Sequence, residues 1–182
     1  MNLPNKLTVL RVIMVPFFVF FMLTDVGGAA NKWIALALFV VASLTDMLDG
    51  KIARKYNLVT NFGKFMDPLA DKLMLLTALV CFATRGWLPL YMILIVFAKE
   101  LTMIIGGAIL FRKKVVVYSD WFGKLASGFF NASVALTLAK RFFPQIGMLD
   151  IIVLAVAIVL ALVALVHYAK IQVFSRMRKK NS

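Results

Sequence analysis

Six long apolar runs separated by short polar connections constrain this chain more than any other feature. They fall at roughly 8–24, 33–53, 61–83, 88–111, 121–143 and 149–169. Each is close to the length of about 20 residues that an α-helix needs to cross hydrocarbon. A water-soluble globule could not hide them. Hydrophobic residues make up 63% of the 182 and charged residues only 16%, against about 45–50% and about 25% in an average soluble domain. The expected fold is therefore an all-α integral membrane protein, a single domain over 1–182 with six transmembrane helices. Any chemistry must sit among those helices. Cys81, the one cysteine, lies inside an apolar run and excludes both a disulfide framework and a zinc finger.

The charges give the topology. Lys and Arg number 21 against 8 acids, a net charge of +13. In a soluble chain this excess would suggest nucleic acid; here bases flank spans on the cytoplasmic side and attract anionic lipid. All but Lys32, Arg85, Lys140 and Arg141 lie at the N-terminus, around 51–72, at Lys99, around 112–124 or in the tail from Lys170. Both termini and the 51–64 and 112–120 turns are thus predicted to be cytoplasmic, which an even number of spans requires. The basic start, the apolar run 12–23 and the small residues 27–30 also outline a cleaved secretory signal. We read this segment as the first span, because removing it would put one terminus outside. The basic tail 175–180 reads as an inner-leaflet anchor, and His167 as an interfacial or packed residue.

The acids are scarce and clustered. Of seven Asp and one Glu, four Asp fall within 26 residues: Asp46, Asp49, Asp67 and Asp71. Each lies towards the cytoplasmic end of an apolar run, where ionisable groups are functional candidates. Asp46 and Asp49 are spaced i,i+3 and share a face of the second helix; Gly63, Asp67 and Asp71 follow i,i+4 steps along the third. A short turn joins these helices, so they are predicted to be antiparallel neighbours whose four carboxylates converge. Like charges so close require neutralisation. Arg54 and Lys72 could supply part of it in a purely structural salt-bridged pair. An all-oxygen cluster without His or Cys instead suits hard cations such as Mg²⁺ or Mn²⁺, and two of them form the usual clamp for displacement at phosphorus. A cation transporter with intramembrane Asp ligands is the alternative from another class. Gly50, Ala53 and Gly63 permit close approach of a helix or a ligand. Arg54 could grip a phosphate through two hydrogen bonds. Pro68 predicts a local kink, since it cannot donate to the Lys64 carbonyl.

Read continuously, Asp46-x2-Asp49-Gly50-x2-Ala53-Arg54-x8-Gly63-x3-Asp67-x3-Asp71 matches in full the signature of the CDP-alcohol phosphatidyltransferase family, which this chain resembles. The resemblance implies a six-helix membrane enzyme, often a homodimer, with its active site at the cytoplasmic face of the cell (inner) membrane. It further implies that Asp46, Asp49, Asp67 and Asp71 ligate two divalent cations, Asp67 bridging them and Asp71 also acting as general base. Gly50, Ala53, Arg54 and Gly63, with Asp49, would line a CDP pocket. The implied donor is CDP-diacylglycerol, and CMP leaves.

The stretches 2–11 and 63–72 are similar to those of the bacterial phosphatidylglycerophosphate synthases in that family, which implies sn-glycerol 3-phosphate as acceptor. Lys99-Glu100 stands where that branch usually has Arg-Glu, and Gly123-Lys124-Leu125-Ala126-Ser127 only approximates its Gly-Lys-x-Lys-Thr. A dianionic acceptor needs bases of its own. Lys99, Arg112 and Lys124 could face the acids across the pocket, or Lys99 and Glu100 could form a buried structural pair. Asn5, Thr8 and Arg11 could approach the nucleotide, or Arg11 could reach out to lipid head groups.

Overall fold

The computed structural model describes residues 2–28, 30–56, 61–112 and 121–180, with side chains described outside 47, 50, 51, 53–55, 61–65, 68, 106–112 and 168–180. Six α-helices account for almost all of it, with no strand among the described residues: α1 Leu3–Leu23, α2 Ala30–Lys55, α3 Asn61–Thr84, α4 Leu90–Arg112, α5 Trp121–Ala139 and α6 Leu149–Lys180. Each coincides with an apolar run of the sequence. The ends differ for local reasons. Leu3 starts α1 because Pro4 sits in its first turn, where a missing N–H costs nothing. Pro89 precedes α4 in the same way, its carbonyl accepting from Met92 and Ile93. Helix α5 stops at Ala139, short of the expected 143, since a tight turn and a 3-10 turn at Pro144–Ile146 follow. Helix α6 runs past 169 to Lys180 because nothing in that stretch breaks a helix. Helix α3 continues through Pro68 without interruption.

The inward stripes of the first three helices share one design. On α1 the buried face reads Pro4, Asn5, Thr8, Arg11, Met14, Phe18, Met22, polar at its start and apolar at its end. On α2 it reads Asn31, Ala35, Phe39, Ala42 and then Asp49. On α3 the apolar part is Met74, Ala78 and Phe82, one helical step beyond Asp67 and Asp71. These helices alternate in direction, so their apolar halves meet at one end of the bundle and their acids and Arg11 at the other. Phe18 and Phe39 pack at 6.2 Å between ring centres. Helix α1 lies against both α2 and α3 and touches each far more extensively than they touch one another among the described residues. This corrects the expectation of α2 and α3 as direct neighbours: α1 is wedged between them. Helices α5 and α6 form the other extensive pair, with α4 against α3 and α6.

The end away from the acids is tied together. Arg85 donates from Nε to the Met22 carbonyl at 3.1 Å, and Arg141 lies 4.0 Å over the Trp87 ring. Lys140 pairs at 3.1 Å with Asp150, which is fully buried in the first turn of α6. Trp33 stacks on Phe142 at 3.6 Å. Gly28 and Gly86 turn the chain there with positive φ of 56° and 63°, a region that favours glycine.

The outer surface is oily. Leu10, Ile13 and Phe17 on α1, Leu94, Leu101 and Ile105 on α4, and Ile152, Val159 and Val163 on α6 all stand exposed. A soluble protein rarely shows such continuous apolar faces. Among the described residues two helical stretches, Leu3–Leu23 and Leu149–His167, are long and apolar enough to cross a membrane, with mean hydropathy 2.1 and 3.2. Helices α2 and α3 instead carry the acids and their neighbouring bases, and α5 carries Gly, Ser and Asn.

Candidate active site

The carboxylates gather where α1, α2 and α3 meet at their polar ends. One turn of α2 carries Asp46 and Asp49 on the same face, and α3 presents Asp67 and Asp71 one turn apart. Asp46 lies close enough to Asp67 and Asp71 to feel the charge of both. Acids of α2 and α3 therefore face one region, linked through α1 by Arg11 and Thr8.

Arg11 is the centre of the arrangement. Its side chain is only 1% exposed, with Nη1 at 2.8 Å from Asp46 Oδ1 and Nη2 at 2.7 Å from Asp49 Oδ2. Its Nε donates to the Ala42 carbonyl at 3.3 Å, which fixes the plane of the guanidinium along α2. Arg11 thus does not reach out to head groups. One turn earlier Thr8, fully buried, donates from Oγ1 to Asp67 Oδ1 at 2.5 Å and lies 3.1 Å from the Pro4 carbonyl. Thr8 was expected beside an entering nucleotide; with no exposed surface and its hydroxyl engaged by Asp67, it instead belongs to the layer behind the acids. Asn5 is buried on the same face.

A second group of charges centres on Glu100, 4% exposed on α4. Lys72 of α3 approaches its Oε2 at 2.8 Å and Lys99 its Oε1 at 2.6 Å, while the Lys99 ammonium lies 5.5 Å over the Phe130 ring of α5. Lys72 is thus ion-paired with Glu100, while its charge also reaches Asp71. Lys99, expected to face an acceptor phosphate, is held in this pair. Lys124 is exposed in the first turn of α5, and Arg112 ends α4. The side chains at Gly50, Ala53, Arg54, Gly63 and Arg112, and the stretch 113–120, lie outside the described residues.

No three His, Cys, Asp or Glu among the described residues are already drawn together into a metal-holding group. The donor chemistry nevertheless fits hard divalent cations. All donors are oxygens, and among the described residues one oxygen of Asp46, of Asp49 and of Asp67 is engaged by α1 while the other has no protein partner. The unengaged oxygens are the ones a cation would take.

Sequence reasoning missed the bridging role of Arg11. The available signal was its i,i+3 spacing from Thr8 in an otherwise apolar run, which puts both on one face of α1.

Comparison with known proteins agrees with the motif. The profile of CDP-alcohol phosphatidyltransferase matches residues 1–168. The chain is 39% identical over 134 residues to the "CDP-diacylglycerol--glycerol-3-phosphate 3-phosphatidyltransferase" of Bacillus subtilis (strain 168), covering 68% of this chain and 69% of that protein. It is 36% identical over 171 residues to the "Probable phosphatidylglycerophosphate synthase" of Mycobacterium tuberculosis (strain CDC 1551 / Oshkosh), covering 92% and 79%. It is also 34% identical over 113 residues to the "Cardiolipin synthase (CMP-forming)" of Streptomyces coelicolor, covering 62% and 53%.

Proposed function

This chain belongs to the CDP-alcohol phosphatidyltransferase family, and from that premise we propose that it transfers the phosphatidyl group of CDP-diacylglycerol to sn-glycerol 3-phosphate, releasing CMP. The observation that carries this reading is the meeting of Asp46, Asp49, Asp67 and Asp71 at one end of α2 and α3, beneath an oily exterior. The relatives named for glycerol 3-phosphate support the acceptor.

The protein's own groups divide the work. Asp46, Asp49 and Asp67, with Asp71, are the residues that would hold two Mg²⁺ or Mn²⁺ ions. Bound there, the cations supply charge neutralisation at the pyrophosphate. Among the described residues of the cluster five acids face three bases, an excess of negative charge that divalent cations would offset. Asp71 takes the proton from the acceptor hydroxyl as the new oxygen–phosphorus bond forms. The bond from that phosphorus to the bridging oxygen breaks, and CMP departs with the electron pair. Gly50, Ala53, Arg54 and Gly63, with Asp49 and Asn5, are assigned to the CDP moiety, and Arg112 and Lys124 to the acceptor phosphate, while Lys99 stays paired with Glu100.

Six spans with both termini in the cytoplasm place this chemistry at the inner face of the cell membrane. Acyl tails then remain in lipid while CMP and acceptor exchange with the cytosol, and the functional unit is a homodimer. The positive-inside distribution of the bases supports this topology.

The test is CMP release by purified protein given CDP-diacylglycerol and a panel of acceptors. Release is expected with glycerol 3-phosphate, should fall to background when EDTA removes divalent ions, and should return with Mg²⁺ or Mn²⁺. Release with phosphatidylglycerol, serine or inositol phosphate, and none with glycerol 3-phosphate, would overturn the acceptor assignment.

A further inference from the structure

Thr8 and Arg11 do something that the signature over 46–71 does not contain. They lie one turn apart on α1, outside the aspartate helices, and between them contact three of the four carboxylates. Each contact engages a single oxygen: Oδ1 of Asp46, Oδ2 of Asp49, Oδ1 of Asp67. A carboxylate with one oxygen held no longer rotates freely about its terminal bond, so its remaining oxygen has a set direction. Arg11 is itself held by the Ala42 carbonyl, and burial of Arg11 and Asp49 keeps water from competing for the bond between them, while Asp46 is held by the ion pair.

We propose that Thr8 and Arg11 are positioning residues that select which oxygen of Asp46, Asp49 and Asp67 is offered to divalent cations. The proposal rests on the cation reading above and deepens it. Arg11 serves orientation and not attraction, because its own charge opposes a cation. Its guanidinium fork is required, since a point charge cannot span two carboxylates one helical turn apart. Partners that orient metal ligands typically alter metal affinity by about 10–100-fold when removed.

Electron paramagnetic resonance of Mn²⁺ titrated into purified full-length protein, without nucleotide or acceptor, reads this directly. Wild-type protein should bind Mn²⁺. Thr8→Val, nearly isosteric but unable to donate, should bind it about 10-fold or more weakly, and Thr8→Ser should recover most of the loss. Arg11→Lys, which keeps the charge, should weaken binding to a similar degree and guards against a Thr8 variant that fails to fold. Wild-type affinity in folded Thr8→Val or Arg11→Lys would overturn the positioning role while leaving the cation reading intact. Wild-type protein that binds no Mn²⁺ at millimolar concentration would overturn the cation reading, and this inference with it.

Discussion

Asp71→Asn should lower turnover by about 10²–10⁴-fold, the contribution expected of a positioned base, while CDP-lipid affinity stays within a few-fold of wild type. The substitution preserves size and hydrogen-bonding capacity but removes the ability to accept the acceptor's proton. Asp71 is half-buried on α3, one turn beyond Asp67 and next to Lys72, whose ammonium is turned to Glu100. The neighbouring carboxylates are committed elsewhere, Asp46 to Arg11 and Glu100 to Lys72 and Lys99. Asp67→Asn should behave differently. Asp67 is the carboxylate that Thr8 holds, and converting it to an amide weakens cation and nucleotide binding together. CMP release with saturating acceptor, alongside equilibrium binding of a CDP-lipid, separates the two outcomes. Equal binding losses in both variants would refute the division of labour.

Arg11→Met should be the most destabilising single change at this site. Asp49 is 2% exposed and Arg11 1% exposed, so the variant buries a carboxylate with its partner removed. Breaking a buried pair in this way costs about 3–5 kcal/mol. Asp46, with a side chain 32% exposed, can turn to solvent and adds little. At about 2–4 °C per kcal/mol for a chain of this size, thermal melting in detergent should show a fall of roughly 6–20 °C. Pairing Arg11→Met with Asp49→Leu should recover most of that fall, because no unpaired charge then remains. Activity should stay absent, since Asp49 is needed for the chemistry. A double variant as unstable as the single one would show that Arg11 stabilises the bundle through packing alone.

Much of this arrangement was readable from residue order. The apolar runs marked the helices, and i,i+3 and i,i+4 spacings marked which acids share a face. What spacing does not contain is which helix a face meets. Asp46 and Asp67 suggested α2 against α3, yet α1 fills that seam with Thr8 and Arg11. Lys72 follows Asp71 directly in sequence, but successive residues on a helix point about 100° apart. It therefore reaches across to α4 and ion-pairs with Glu100. Helix ends were legible to within a few residues where Pro intervened, and not at α6, where a basic amphiphilic tail is as good a helix former as the apolar stretch before it.

The contacts at the end opposite the acids bear on how a two-tailed lipid enters. Arg85, Lys140, Arg141 and the Trp33–Phe142 stack fasten the α1–α2, α3–α4 and α5–α6 connections to one another and to the helix ends beside them. That end of the bundle is therefore closed, and a two-tailed lipid bound at the aspartates would approach from the opposite end.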